Sequence, residues 1–164
     1  MDVIVNNAGR THARPVALAD ATDEQFDDVF DVNVKGLFMC LRESVKHLRS
    51  GGRVINLSST GVASPHVGHG IYTASKSAVE TLTRVLAREL KGRRITVNCI
   101  APGATATEDW LQGKPETLLE TIAQLAPLER LGTPEDVANA VAFLASPQGE
   151  WINGQVIRAN GGFV

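Results

Sequence analysis

Four short runs in this chain are apolar at successive positions, and long segments with helical periodicity separate them. The runs are "DVIVN" (Asp2 to Asn6), "RVINLSS" from Arg53, "RITVNCIA" from Arg94 and "GQVIRAN" from Gly154. Continuous rather than alternating apolar character is what a strand needs when both faces of its sheet are covered. The segment from Thr22, "TDEQFDDVFDVNVKGLFMCLRESVKHL", opens on an acidic turn. It then repeats Phe26, Val29 and Phe30, and after them Leu37, Leu41, Val45 and Leu48, at helical spacing. It predicts a helix stepped near Asn33 to Gly36 and stopped by "SGG". A second helix is expected from about Tyr72 to Leu90, presenting Ala78, Leu82, Val85, Leu86 and Leu90 on one face. A third covers "TPEDVANAVAFLAS", with Thr133 as N-cap and Pro134 in first place.

The order β-α-β-α-β-α-β implies an α/β fold with a parallel sheet, right-handed crossovers and helices on both faces. At 164 residues the chain is expected to form one domain, residues 1–164. Ligands of such folds sit beyond the carboxyl ends of the strands. "NNAG", "SST" and "APG" all fall there.

Net charge is -2, which favours neither nucleic acid nor an anionic membrane. No apolar run approaches spanning length. The cluster "KGRR" (Lys91 to Arg94) is expected to cap the preceding helix, with Gly92 at the turn and cations facing the helix end. Cys40 and Cys99 match no metal or redox spacing, so buried reduced thiols and a cytoplasmic location are expected. His66 and His69 lack a third ligand, and no metal is expected.

Tyr72, the only tyrosine, stands four residues before Lys76 and so shares a helix face with it. A free phenol titrates near pH 10, about 3 units too high for acid–base work at neutrality, and a nearby ammonium would favour the phenolate. Ser58 and Ser59 close the second strand, where a hydroxyl could bond a carbonyl oxygen as charge develops. Asn33 sits inside a predicted helix, where asparagine is mildly unfavourable.

Together "NNAG", "VNVKG", "LSS", "YTASK" and "APGATAT" resemble the short-chain dehydrogenase/reductase family, in the family's order and along all 164 residues. The resemblance implies a Rossmann-like doubly wound parallel sheet, its C-terminal part only, with about four strands. It implies Tyr72 as proton donor and acceptor, and Lys76 lowering the phenol's pKa and holding the nicotinamide ribose. Ser59, thirteen residues before the tyrosine, would orient the carbonyl; Ser58 is out of register. Asn33 would keep a relay water beside the lysine. Asn6, Ala8 and Gly9 match the segment along the adenosine ribose. Pro102, Gly103, Thr105 and Thr107 match the loop that meets the nicotinamide carboxamide and phosphates. Asn160 stands where many members are acidic, with little consequence expected, and Trp110 is a candidate cleft residue or, equally, a core or interface aromatic.

The implied activity is NADP- or NAD-dependent reduction of an aldehyde, ketone or 3-oxoacyl group, or oxidation of the alcohol, with NADP favoured. The implied partners are a small carbonyl or alcohol substrate and further copies of the chain, as dimer or tetramer. The family's glycine-rich βαβ phosphate cradle has no counterpart here, and "GHG" (Gly68 to Gly70) is not one. The first strand is therefore expected at a sheet edge. A rival reading is an inactive fragment that acts only by associating with full-length relatives.

Overall fold

A computed structural model describes residues 1–12 and 14–164. Its centre is a sheet of four parallel strands in sequence order: β1 (Val3–Asn6), β2 (Arg53–Leu57), β3 (Thr96–Pro102) and β4 (Val156–Ala159). The helices are α1 (Asp23–Phe30), α2 (Leu37–His47), α3 (Gly70–Glu89), α4 (Glu108–Leu111), α5 (Glu116–Gln124) and α6 (Pro134–Ala145). Each apolar run of the sequence became a strand, and β2 is buried at all five positions.

One face of the sheet carries Ile4, Val54, Val97 and Cys99, and it meets Leu37, Leu41, Leu48, Val79 and Leu90 from the α2 and α3 side. The other carries Ile55, Leu57 and Ile100, covered by Val137, Ala140, Val141 and Leu144 of α6. The cover stops short of β1, where Val3 and Val5 remain 39% and 42% exposed. β1 is a sheet edge, as expected.

Between α1 and α2 the chain does not break. Residues Asp31–Gly36 form one wide π turn, which is the expected step. Thr22 opens α1 and Thr133 opens α6, each with a reciprocal capping box, and Pro134 stands first in α6.

Three expectations are corrected. Of the cations of "KGRR", Arg93 does not serve its own helix. Gly92 does turn the chain, at φ 87°, but Arg93 donates to the carbonyls of Val45 and Leu48 and so closes the end of α2. Cys99 is buried but Cys40 is exposed, because α2 turns Leu37, Leu41 and Ser44 inward and Cys40 lies off that stripe. On α3 the most deeply buried side chains are Ile71, Ser75, Lys76, Val79, Glu80 and Thr83. Val85, expected on the apolar face, is 46% exposed.

Candidate active site

The buried face of α3 is polar because hydrogen bonds from the sheet end there. Asn6 at the end of β1 donates to Asn56 Oδ1 at 2.8 Å, and Asn56 donates to Thr83 Oγ1 at 2.9 Å. Thr83 passes the chain on to its own helix, donating to the Val79 carbonyl at 2.8 Å. These side chains are satisfied where an unpaired amide would cost about 1–3 kcal/mol. They fix α3 against the strand ends.

Lys76, 4% exposed, reaches from that face to the last residue of β2, where Nζ donates to the Leu57 carbonyl at 2.8 Å. Burial lowers its pKa, opposed by the Cys99 sulfur. Nζ also lies 5.8 Å from the centroid of the Tyr72 ring. The two residues share a helix face, as their spacing requires.

Strand pairing runs one residue past β2, with Ser58 N–H donating to the Ile100 carbonyl at 2.7 Å. The pleat then sends the two serines apart. Ser58 turns toward α3 and is 4% exposed, whereas Ser59 opens a 3-10 turn and its Oγ accepts from Gly61 N–H at 3.1 Å. Ser59 stands near the Tyr72 phenol and pulls the phenol's pKa down. Burial is the larger influence and holds the phenol above its ordinary value. The Lys76 ammonium is directed to the Leu57 carbonyl, and what opposes burial at the phenol is the serine.

Asn33 occupies the π turn and is 2% exposed. Its Oδ1 accepts from Arg10 N–H at 2.7 Å, and its Nδ2 donates to the Arg10 carbonyl at 2.8 Å and to Ser75 Oγ at 2.9 Å. The amide thus ties the loop after β1 to α3 between Tyr72 and Lys76. Gly9 makes this approach possible, since a Cβ there would stand 3.0 Å from Lys76 Nζ and 3.6 Å from Asn33 Oδ1. A pocket of about 220 Å³ opens beside these groups, lined among others by Asn6, Ala8, Asn33, Cys40 and Lys76.

Pro102, Gly103, Thr105 and Thr107 lie at or beyond the carboxyl end of β3, the strand next to β2. Gly103 is pressed against Asn160, which a Cβ would meet at 2.8 Å. Thr105 donates to the Gly103 carbonyl at 3.0 Å, and Thr107 caps α4 by accepting from Trp110 N–H at 3.3 Å. Among the described residues no hydrogen bond joins these four to Ser59, Tyr72 or Lys76. Trp110 is covered by Lys114, whose Nζ sits 4.5 Å from the ring centroid. His66 and His69 meet edge to face at 6.5 Å.

Several residues here went unremarked in the sequence: Ser75, Glu80, Asn56 and Thr83. Only Ser75 carried a signal, its place inside "YTASK".

A family model described as "Enoyl-(Acyl carrier protein) reductase" matches residues 1–164. A "Short-chain type dehydrogenase/reductase" of Picea abies is 52% identical over 166 residues, covering 100% of this chain and 61% of that protein. A "NADPH-dependent aldehyde reductase-like protein, chloroplastic" of Arabidopsis thaliana is 47% identical, covering 99% of this chain and 61% of that protein. Among solved structures, the angucycline C-6 ketoreductase LanV with bound NADP superposes with a TM-score of 0.92 at 37% identity, covering 99% of this chain and 62% of that one.

The chain belongs to the short-chain dehydrogenase/reductase family, and its fold is Rossmann-like. It spans about three-fifths of the length of the curated relatives it matches.

The residues present fit the nicotinamide-ribose half of a dinucleotide. Lys76 Nζ spends one donor on Leu57 and keeps two at the edge of the pocket, and Gly9 leaves the space a Cβ would fill. Among the described residues no helix is long and apolar enough to cross a membrane.

Proposed function

We propose that this chain is a partial Rossmann-like domain, residues 1–164, carrying the proton-transfer half of an NADP(H)-dependent carbonyl reductase. The observation that carries the reading is that Tyr72 and Lys76 share one face of α3, Nζ 5.8 Å from the ring centroid, with Ser59 near enough to the phenol to lower its pKa. NADP(H) is favoured over NAD(H) because relatives and neighbours are described with it.

When bound, the dinucleotide supplies hydride to the carbonyl carbon. Ser59 gives a hydrogen bond to the carbonyl oxygen as negative charge gathers there. Tyr72 then gives its phenolic proton to that oxygen, which leaves an alcohol and a phenolate. Lys76 stabilises the phenolate and holds the ribose hydroxyls. Asn33 fixes the loop after β1 against α3, and in its widened turn it supports the water path that returns a proton. A phenol kept protonated by burial suits reduction, the direction in which it must be the donor. Asn6, Ala8 and Gly9 would lie along the adenosine ribose, and the loop Pro102–Thr107 would meet the carboxamide and phosphates.

The substrate is a small aldehyde, ketone or 3-oxoacyl compound. Self-association as dimer or tetramer is supported by exposed apolar side chains on both long helices: Phe38 and Met39 on α2, and Val85 on α3. Free Cys40 and Cys99 suit a reducing compartment such as the cytoplasm.

A second reading has its own observation. With Val3 and Val5 exposed on an open strand edge, the chain is equipped to pair with a full-length relative without catalysing anything. Titrating the chain with NADPH by fluorescence separates the two. Saturable binding supports the reductase, and absence of binding selects the inactive partner.

A further inference from the structure

Glu80 is a buried carboxylate that none of the steps above uses. It continues a row along α3, Tyr72, Lys76, Glu80 and Arg84, spaced four apart, and it is 8% exposed. One carboxylate oxygen accepts the Ser58 hydroxyl at 3.0 Å, and the other accepts Arg84 Nη2 at 3.0 Å. Both oxygens therefore have partners, as a carboxylate so far from water requires.

The partner on the strand is the residue immediately before Ser59. Backbone pairing to Ile100 and the Thr60 hydroxyl on the Ala101 carbonyl hold this stretch to β3 within the sheet. Neither ties it to α3. That link comes from two adjacent residues: Leu57, whose carbonyl accepts from Lys76, and Ser58, whose hydroxyl donates to Glu80, with the Lys76 carbonyl a longer acceptor at 3.3 Å. With the Leu57 carbonyl and the Ser58 hydroxyl both bonded to α3, the next residue, Ser59, is held near Tyr72. Arg84 holds the carboxylate's other oxygen and so aims it.

We propose that Glu80 is a positioning residue, acting through Ser58 to set the Ser59 hydroxyl against the Tyr72 phenol. The proposal rests on the reading of Ser59 and Tyr72 as the reacting pair.

The test uses the full 164-residue chain as Glu80→Ala, Glu80→Gln, Ser58→Ala and the Ser58→Ala/Glu80→Ala double variant. NADPH-dependent reduction of a small aldehyde is measured per folded molecule, with folding followed by circular dichroism. Glu80→Ala should lower kcat at least about tenfold while KM stays within about twofold, because misplacement is felt in the chemical step. Glu80→Gln keeps an oxygen for Ser58 and should recover to within about threefold of the unaltered chain. The double variant should match Glu80→Ala, since both changes cut one link. If Glu80→Ala does not fold, Ser58→Ala carries the same comparison with less disruption. Unchanged kcat in Glu80→Ala, a Gln variant no better than Ala, or additive losses would each overturn the proposal.

If the unaltered chain reduces no aldehyde, the reductase reading falls and hydrogen exchange judges the link instead. Backbone amides from Leu57 to Thr60 should then exchange faster in the Ala variants but not in Glu80→Gln. Equal rates in all of them would overturn the proposal.

Discussion

The Asn33 side chain donates to the Ser75 hydroxyl at 2.9 Å, and Ser75 in turn donates to the Tyr72 carbonyl at 2.7 Å. A residue held in the π turn thereby fixes the helical turn between the phenol and the lysine. The turn's extra width is what brings an amide from the α1–α2 segment to a helix 42 residues further on.

Removing that amide should be costly. Asn33→Ala leaves the Arg10 N–H and carbonyl without their partner at a part-buried site and takes the Asn33 amide from the buried Ser75 hydroxyl. The expected loss is about 3 kcal/mol, read as a lower urea midpoint at unchanged m-value.

Gly9→Ala should separate stability from binding. The new methyl meets the movable tip of Lys76 rather than backbone, so the stability cost should be that of one hydrogen bond, roughly 1 kcal/mol. Displacing Nζ from the Leu57 carbonyl should nevertheless weaken NADPH severalfold, as measured by fluorescence titration.

Asp136 makes the cap of α6 sensitive to acid. The Arg130 guanidinium first, then the Thr133 backbone N–H, hold its carboxyl well below the usual range. A depressed folded pKa gives stability that is present above the unfolded value of about 3.9 and is lost as pH falls below it. Asp136→Asn should therefore lie below the unaltered chain in urea midpoint at pH 7, and the two should converge in acid. Added salt should narrow the difference at pH 7, since the pair is exposed.

The two thiols should behave differently. Burial raises the Cys99 thiol to about 12, whereas Cys40 is exposed. At pH 8 a thiol reagent should label one cysteine per native chain and two in urea. Above about pH 8.5 the unfolded chain releases the Cys99 proton first, so stability should fall as pH rises toward the folded value.

The strands and main helices were legible because their signals are local. An apolar run such as "VINL" or a cap such as "TPED" needs no distant partner to be read. The step at Asn33 was legible for the same reason, since a poor helix former stood mid-helix. Arg93 was misread because its acceptors, Val45 and Leu48, lie more than forty residues away in sequence. The Ser58–Glu80 bond depends on strand register and helix rotation together, which spacing alone does not supply. Burial of Tyr72 is likewise a tertiary property. Its spacing to Lys76 placed the pair correctly, but the direction of the phenol's pKa shift followed from its surroundings.

Steady-state NADPH oxidation with a small aldehyde at pH 7, comparing the unaltered chain with Tyr72→Phe, tests the proton-transfer assignment most directly. The rate should fall by about a thousandfold, with NADPH affinity unchanged within about twofold, because the ring remains and only the proton is lost. Equal turnover by the two proteins would contradict the assignment of Tyr72 as the acid.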